Sequence, residues 1–173
     1  MNLKNKISRY AIIAFLFIIN QTLSGQSIEK EAMSKLSFMI GNWKGSGTSF
    51  PEKEGSKYDV LSKVTYDLDG ELLVLRHRSF REATAVLSLH TVIYYNKEDQ
   101  YYYYNAYTKR GSRPFKGKIT NDKLVLYLGE NYRLIFQKTE EGKFNEYGEK
   151  LVDNKWIKNF EDILSPTSEI TSF

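Results

Sequence analysis

The chain contains no cysteine in its 173 residues. That excludes disulfide bonds and thiolate metal sites. It also excludes a lipid anchor of the bacterial kind, which needs a cysteine where the leader is cut. A Gly-x-Ser-x-Gly elbow, a P-loop and a His-Glu-x-x-His helix are all missing, so none of the common hydrolase, nucleotide or metalloprotease signatures is present. Histidine is scarce, with two residues, His77 and His90. The longest apolar run, Tyr10 to Ile19, falls short of the roughly 20 residues of a membrane span.

A charge excess is missing too, once its location is considered. Lys and Arg total 25 against 21 Asp and Glu, but Lys4, Lys6 and Arg9 lie in the first 25 residues, which hold no acidic residue. Those residues read as a signal peptide, with a basic start, the apolar run and small residues at Thr22-Leu23-Ser24-Gly25 for cleavage before Gln26. An uncleaved anchor is the alternative. Without the leader the balance is 22 to 21, a net charge of about +1. Nothing in that balance favours a nucleic-acid or anionic-membrane partner, which would need a clustered basic face. About 148 residues remain, enough for one domain with a core. An exported chain without disulfides must rely on core burial and sheet pairing. The expected location is therefore periplasmic or secreted, with no span after cleavage.

One helix is expected, over Ser27 to Leu36. Ser27 can cap it, Glu29 and Glu31 suit its first turn, and Ile28, Ala32 and Leu36 share a face. From Gly41 the period becomes two. Turn residues recur at Asp69-Gly70, Asn96 to Asp99, Lys109-Arg110-Gly111, Asn121-Asp122, Gly129-Glu130, Glu141-Gly142 and Asp153-Asn154. The implied strands are 42–50, 57–68, 71–80, 84–95, 100–108, 114–120, 123–128, 131–138, 143–151 and 155–163. Connections of hairpin length favour neighbour pairing, hence an all-β, antiparallel up-and-down barrel of about 8–10 strands behind a short N-terminal helix. Residues 26–164 form that domain, and 165–173 read as a flexible tail. A polar loop, Pro51 to Ser56, joins the first two strands.

Several stretches carry a family resemblance. They are the segment Leu36-Ser37-Phe38-Met39-Ile40-Gly41-Asn42-Trp43-Lys44-Gly45, the run Val92-Ile93-Tyr94-Tyr95-Asn96-Lys97 at a strand end, and Phe115-Lys116-Gly117-Lys118-Ile119 opening a later strand. Together with the helix and the meander they resemble the lipocalin-like (calycin) barrels, in particular exported bacterial members. The chain is less similar to the nitrobindin-type haem barrels, whose haem-ligating histidine has no counterpart in Trp156 to Ser165. The resemblance implies a barrel that holds a small molecule, no cofactor, and a structural Trp43 that closes one end. Gly41 and Gly45 would permit close backbone approach where the chain enters the sheet.

The candidate site residues follow from strand alternation. Tyr101, Tyr103, Asn105 and Tyr107 share one face, and Tyr102, Tyr104 and Ala106 the other. An inward row of tyrosines would suit an amphipathic or aromatic ligand, and an outward row a protein or glycan. Arg76 and Arg78 alternate with His77, so either the arginines or the histidine faces the interior. An inward arginine would pair with a ligand carboxylate, as would Arg133. His77 and His90 become neighbours in one register and part in the next. Alone they make an incomplete metal site, and no carboxylate is evident on those faces. Glu146 and Glu149 are expected to be exposed. Asp67-Leu68-Asp69-Gly70 lacks the full oxygen set of a calcium loop and reads as a turn.

The leading expectation is a non-catalytic exported barrel binding a small lipophilic or amphipathic molecule through Arg76, His77, His90, Tyr101, Tyr103, Tyr107 and Arg133. An interaction module with an exposed tyrosine face is the alternative. A cavity isomerase or cyclase using His77 or His90 is a third reading.

Overall fold

A computed structural model of the chain describes residues 27–54 and 56–169; the expected leader, residues 1–25, lies outside them. A helix α1 (Ile28–Ser34) and a short 3₁₀ turn (Ser37–Met39) precede ten strands. The strands are β1 (Gly41–Ser49), β2 (Lys57–Asp67), β3 (Leu72–Arg81), β4 (Thr84–Asn96), β5 (Tyr101–Thr108), β6 (Gly111–Thr120), β7 (Lys123–Tyr127), β8 (Tyr132–Lys138), β9 (Phe144–Val152) and β10 (Lys155–Pro166). Each strand pairs with its sequence neighbour, and β1 closes onto β10 in a single antiparallel barrel. Closure pairs both margins of the sheet and leaves no open edge. No helix among the described residues is long and apolar enough to cross a membrane.

The turns explain the hairpins. Glu82-Ala83, Asn121-Asp122 and Asp153-Asn154 all have positive φ at both residues, the backbone twist that suits a two-residue hairpin. β10 runs to Pro166, taking in the first two residues of the expected tail, because Trp43 and Lys44 of β1 pair with Pro166 and Ser165.

One barrel end is sealed and packed. The Ser27 hydroxyl caps α1 by accepting from the Lys30 N–H at 3.1 Å. The buried face of the lid is Ala32, Met33, Leu36 and Met39, whereas Ile28 in the first turn is 62% exposed and is not part of it. The lid is tied down by the Tyr102 hydroxyl, which donates to the Ala32 carbonyl at 2.8 Å, and by a Glu29–Lys97 ion pair at 3.0 Å. Beneath it lie Trp43, Val64, Leu73, Leu75, Ile93, Leu124, Leu126, Phe136, Phe144 and Leu164, all buried. The Trp43 indole N–H donates to the Met39 carbonyl at 2.8 Å, and its ring lies 5.5 Å from that of Phe144. Trp43 therefore plugs this end. Gly41 has φ +143°, which a side chain would strain. A Cβ on Gly45 would collide with the Ile163 carbonyl, so the β1–β10 seam closes only with glycine there.

Candidate functional site

Alternation assigns each strand residue to the interior or the outer surface. On β3, Leu73, Leu75, His77 and Ser79 are buried, while Arg76 is exposed and Arg78 half-buried on the other face. On β5, Tyr102, Tyr104 and Ala106 point inward. On β9 the inward set is Phe144, Glu146 and Gly148; on β10 it is Phe160, Asp162 and Leu164, with Glu146 directly opposite Asp162. The interior thus changes character halfway along the barrel. Above the apolar plug sits a tier of buried polar groups that includes Ser62, His77, Thr91, Glu146 and Asp162.

Above that tier the barrel is hollow. One chamber of about 540 Å³ is bordered by Tyr58, His77, Ser79, Arg81, Leu87 and Asp162 among others. A second, of about 410 Å³, is bordered by Tyr104, Ala106, Arg113, Phe115, Leu128, Tyr132 and Leu134 among others. The two share Leu89, Glu146 and Phe160 as common wall. The mouth lies opposite the lid, among the β1–β2, β3–β4 and β5–β6 connections. The inward-facing Leu87 is still 42% exposed there, and Val86 beside it is 52% exposed. A bulge between Ser79 and Phe80 makes Val86 the unpaired residue at this lip.

His77 is 3% exposed, with Nδ1 3.1 Å from the Ser62 hydroxyl and Nε2 2.8 Å from the Ser79 hydroxyl. Burial holds its pKa down at about 4, so the ring is neutral at pH 7. The Tyr58 hydroxyl donates to Asp162 Oδ1 at 2.7 Å. Gly47 on β1 is the cross-strand neighbour of both Tyr58 and Asp162, and a Cβ there would strike both side chains. This glycine leaves the gap across which the hydrogen bond forms. Burial lifts Asp162 to about 6, opposed by the Tyr58 hydrogen bond and reinforced by Glu161. Glu146 is raised well above the ordinary carboxylate range, first by burial and then by the charge of Asp162. Glu146 Oε2 lies 3.9 Å from His77 Nδ1. With the ring neutral, this contact is not an ion pair. The floor of the hollow therefore offers the Glu146 carboxyl, a neutral imidazole and the second oxygen of Asp162.

Of the residues singled out from sequence, only His77 borders this interior. Arg76 and His90 are cross-strand partners on the outer face, so the two histidines lie on opposite sides of the sheet. Tyr101, Tyr103 and Tyr107 are on the outer phase of β5 and do not line the hollow. Tyr103 stacks on Tyr94 at 5.0 Å between ring centres, its hydroxyl donates to Asp99 at 2.7 Å, and Lys116 sits 4.6 Å over its ring. Tyr101 lies under Lys118 at 4.3 Å. The ladder of tyrosines thus satisfies its own ring faces and Tyr103's hydroxyl along the strand surface. Tyr107, Arg76, His90 and Lys109 border a separate outer depression of about 510 Å³. Arg133 is also outside, with Nε 2.6 Å from Glu149 and its guanidinium 4.3 Å over Trp156. Among the described residues no arginine faces inward deep in the barrel; those that enter the lining, Arg81, Arg110 and Arg113, do so near the mouth.

The expectation that Glu146 is exposed is overturned: it is 7% exposed, and with Asp162 it supplies the carboxylates that His77 was expected to lack. A signal for both was present. Phe144-x-Glu146-x-Gly148 and Phe160-x-Asp162-x-Leu164 place each acid in the apolar phase of its strand. No protein-family model matches this chain, and no curated protein does either. The ten-strand antiparallel barrel is consistent with a lipocalin-like fold.

Proposed function

We propose that the chain is a lipocalin-like barrel of the calycin kind. On this reading it is exported by its leader and holds one small amphipathic molecule in the open half of its interior. The observation that carries this reading is the contrast between the two halves. The lid end is packed with side chains, whereas the mouth end leaves chambers of about 540 and 410 Å³, the range of ordinary ligand sites. Leu89, Phe115, Leu128, Leu134 and Phe160 supply apolar wall, and burial of ligand surface against them provides most of the affinity. The polar end of the molecule meets Glu146, His77 and Asp162. Arg81, Arg110 and Arg113 at the mouth favour a ligand whose outer end is anionic or rich in acceptors.

Native mass spectrometry and solvent extraction of protein purified from the periplasmic fraction test this directly. A co-purifying molecule is expected, and its displacement by an environment-sensitive apolar dye gives an affinity. Ala106→Trp fills the second chamber and is expected to weaken dye binding at least about tenfold with little change in stability, since it enters open space. Tyr103→Ala, on the outer face, is expected to leave it unchanged. Equal binding by wild type and Ala106→Trp would sink the reading. If Tyr103→Ala is the variant that loses binding, the tyrosine face becomes the site instead.

One observation favours a catalytic version of the same cavity: titratable groups with shifted pKa values face a cleft. Proton transfer on a bound substrate would then depend on His77 and Glu146. Turnover that survives His77→Gln would exclude that version.

A further inference from the structure

Beyond small-molecule binding, we infer that the floor of the hollow is a site for one divalent first-row transition-metal ion, held by His77, Glu146 and Asp162. One donor atom from each residue lies within 4.8 Å of the other two, and the three come from different strands, β3, β9 and β10. Donors about 2.1 Å from a tetrahedral metal stand about 3.4 Å apart. The set therefore closes by roughly an ångström on the ion, and His77 Nδ1 and Glu146 Oε2, at 3.9 Å, are already near that spacing.

A second observation points to the same occupant. The Glu146 side chain is only 9% exposed and makes no hydrogen bond to any described residue. Native proteins seldom leave a carboxyl this buried without a protein donor, and this one faces the chambers with none. A cation at the centre of the triad supplies what is missing. The surrounding contacts suit such an ion. If the His77 Nε2–H donates to the Ser79 hydroxyl, Nδ1 is left as the free lone pair facing Glu146. The Tyr58 hydroxyl occupies one oxygen of Asp162 and leaves the other, Oδ2, available. Only the Ser62 hydroxyl must rotate away from Nδ1.

One imidazole nitrogen and two carboxylates match zinc or manganese, and they are too few oxygens for calcium, which takes six to eight. All three residues border the larger chamber, so the remaining coordination position opens onto it. An ion there would be reached by a water or by the polar end of a bound molecule.

The test uses the full chain, stripped with a chelator and dialysed, with no organic ligand present. Calorimetric titration with Zn²⁺, checked by elemental analysis after desalting, is expected to give one equivalent. E146Q and D162N are each expected to weaken binding at least about 100-fold, while circular dichroism shows the barrel retained. H90A, on the outer face, is expected to bind as wild type does. The inference is overturned by absence of stoichiometric Zn²⁺, by E146Q and D162N binding as wild type does, or by Ca²⁺ binding as tightly as Zn²⁺. No organic ligand enters the assay, so its failure leaves the small-molecule reading standing, and a failed dye assay leaves this one standing.

Discussion

Replacing Glu146 with glutamine in chelator-treated protein is expected to stabilise the barrel at pH 8 by roughly 1–3 kcal/mol, the extra cost of burying an ionised rather than a neutral group without a partner. For a domain of this size that is about 2–12 °C in Tm. The sign follows from linkage. Burial and the neighbouring Asp162 raise the folded-state pKa of Glu146 above its ordinary 4.5. A carboxyl raised in this way favours the folded state at low pH, and that advantage is lost as pH rises through the folded value. Glutamine imitates the protonated acid and escapes the loss. The gain is therefore largest in alkali and disappears near pH 4, where the acid is protonated in both states.

The groups facing Glu146 are Asp162 on β10, His77 on β3, Tyr58 on β2, Tyr104 on β5 and Tyr132 on β8. Asp162, raised to about 6, acts in the same direction. His77, lowered to about 4, acts in the opposite one: its contribution is complete above about 6.5 and is lost as pH falls toward 4. Comparing wild type with the Glu146 variant at each pH cancels most of what these neighbours contribute. Thermal melts from pH 4 to 8 decide the matter. A variant less stable than wild type at pH 8 would show that the carboxylate has a cationic or hydrogen-bonding partner in the metal-free protein.

The second large effect concerns the other end of the barrel. Trp43→Ala is expected to cost about 3–5 kcal/mol, as for other buried aromatic truncations. It removes a ring that is 5% exposed and lies against Phe144, and it strips the Met39 carbonyl of its donor. Trp43→Phe keeps most of the packing but leaves the buried Met39 carbonyl without its donor, so it is expected to cost about 1–3 kcal/mol, less than Trp43→Ala. Urea denaturation of the three proteins measures both numbers. A Trp43→Ala variant within about 1 kcal/mol of wild type would mean that the lid, rather than the indole, seals this end. Ligand binding at the mouth, measured well below the melting temperature, is expected to persist, because Trp43 does not border either chamber.

Local signals made the strands legible in the sequence. Every strand expected from the period of two is found, with ends displaced by three residues at most. The turns need particular backbone conformations that Asn, Asp and Gly adopt cheaply, and they mark the hairpins without reference to the rest of the chain. Trp43 was readable as structural only through the resemblance to the lipocalin-like barrels that the preceding helix and Gly41-Asn42-Trp43 carry.

The site was harder to read. His77 was found because Leu73 and Leu75 share its phase, yet the same alternation left Arg76 and Arg78 as equal candidates until the sheet closed. The tyrosines of β5 show the difficulty most plainly. Sequence separates Tyr101, Tyr103 and Tyr107 from Tyr102 and Tyr104, but a strand considered alone has no inside.

By itself, then, the sequence determined the ten strands, their hairpin order and the division of each strand into two faces. Those features depend on neighbours a few residues apart. Only the tertiary structure decided which face became interior and that the lid-end half is filled while the mouth-end half is hollow. It alone brought Tyr58, His77, Glu146 and Asp162 together from four strands. Their proximity depends on the registers β1–β2, β2–β3, β9–β10 and β1–β10. The last of these joins residues more than a hundred positions apart, and no local pattern fixes it; closure of the barrel does.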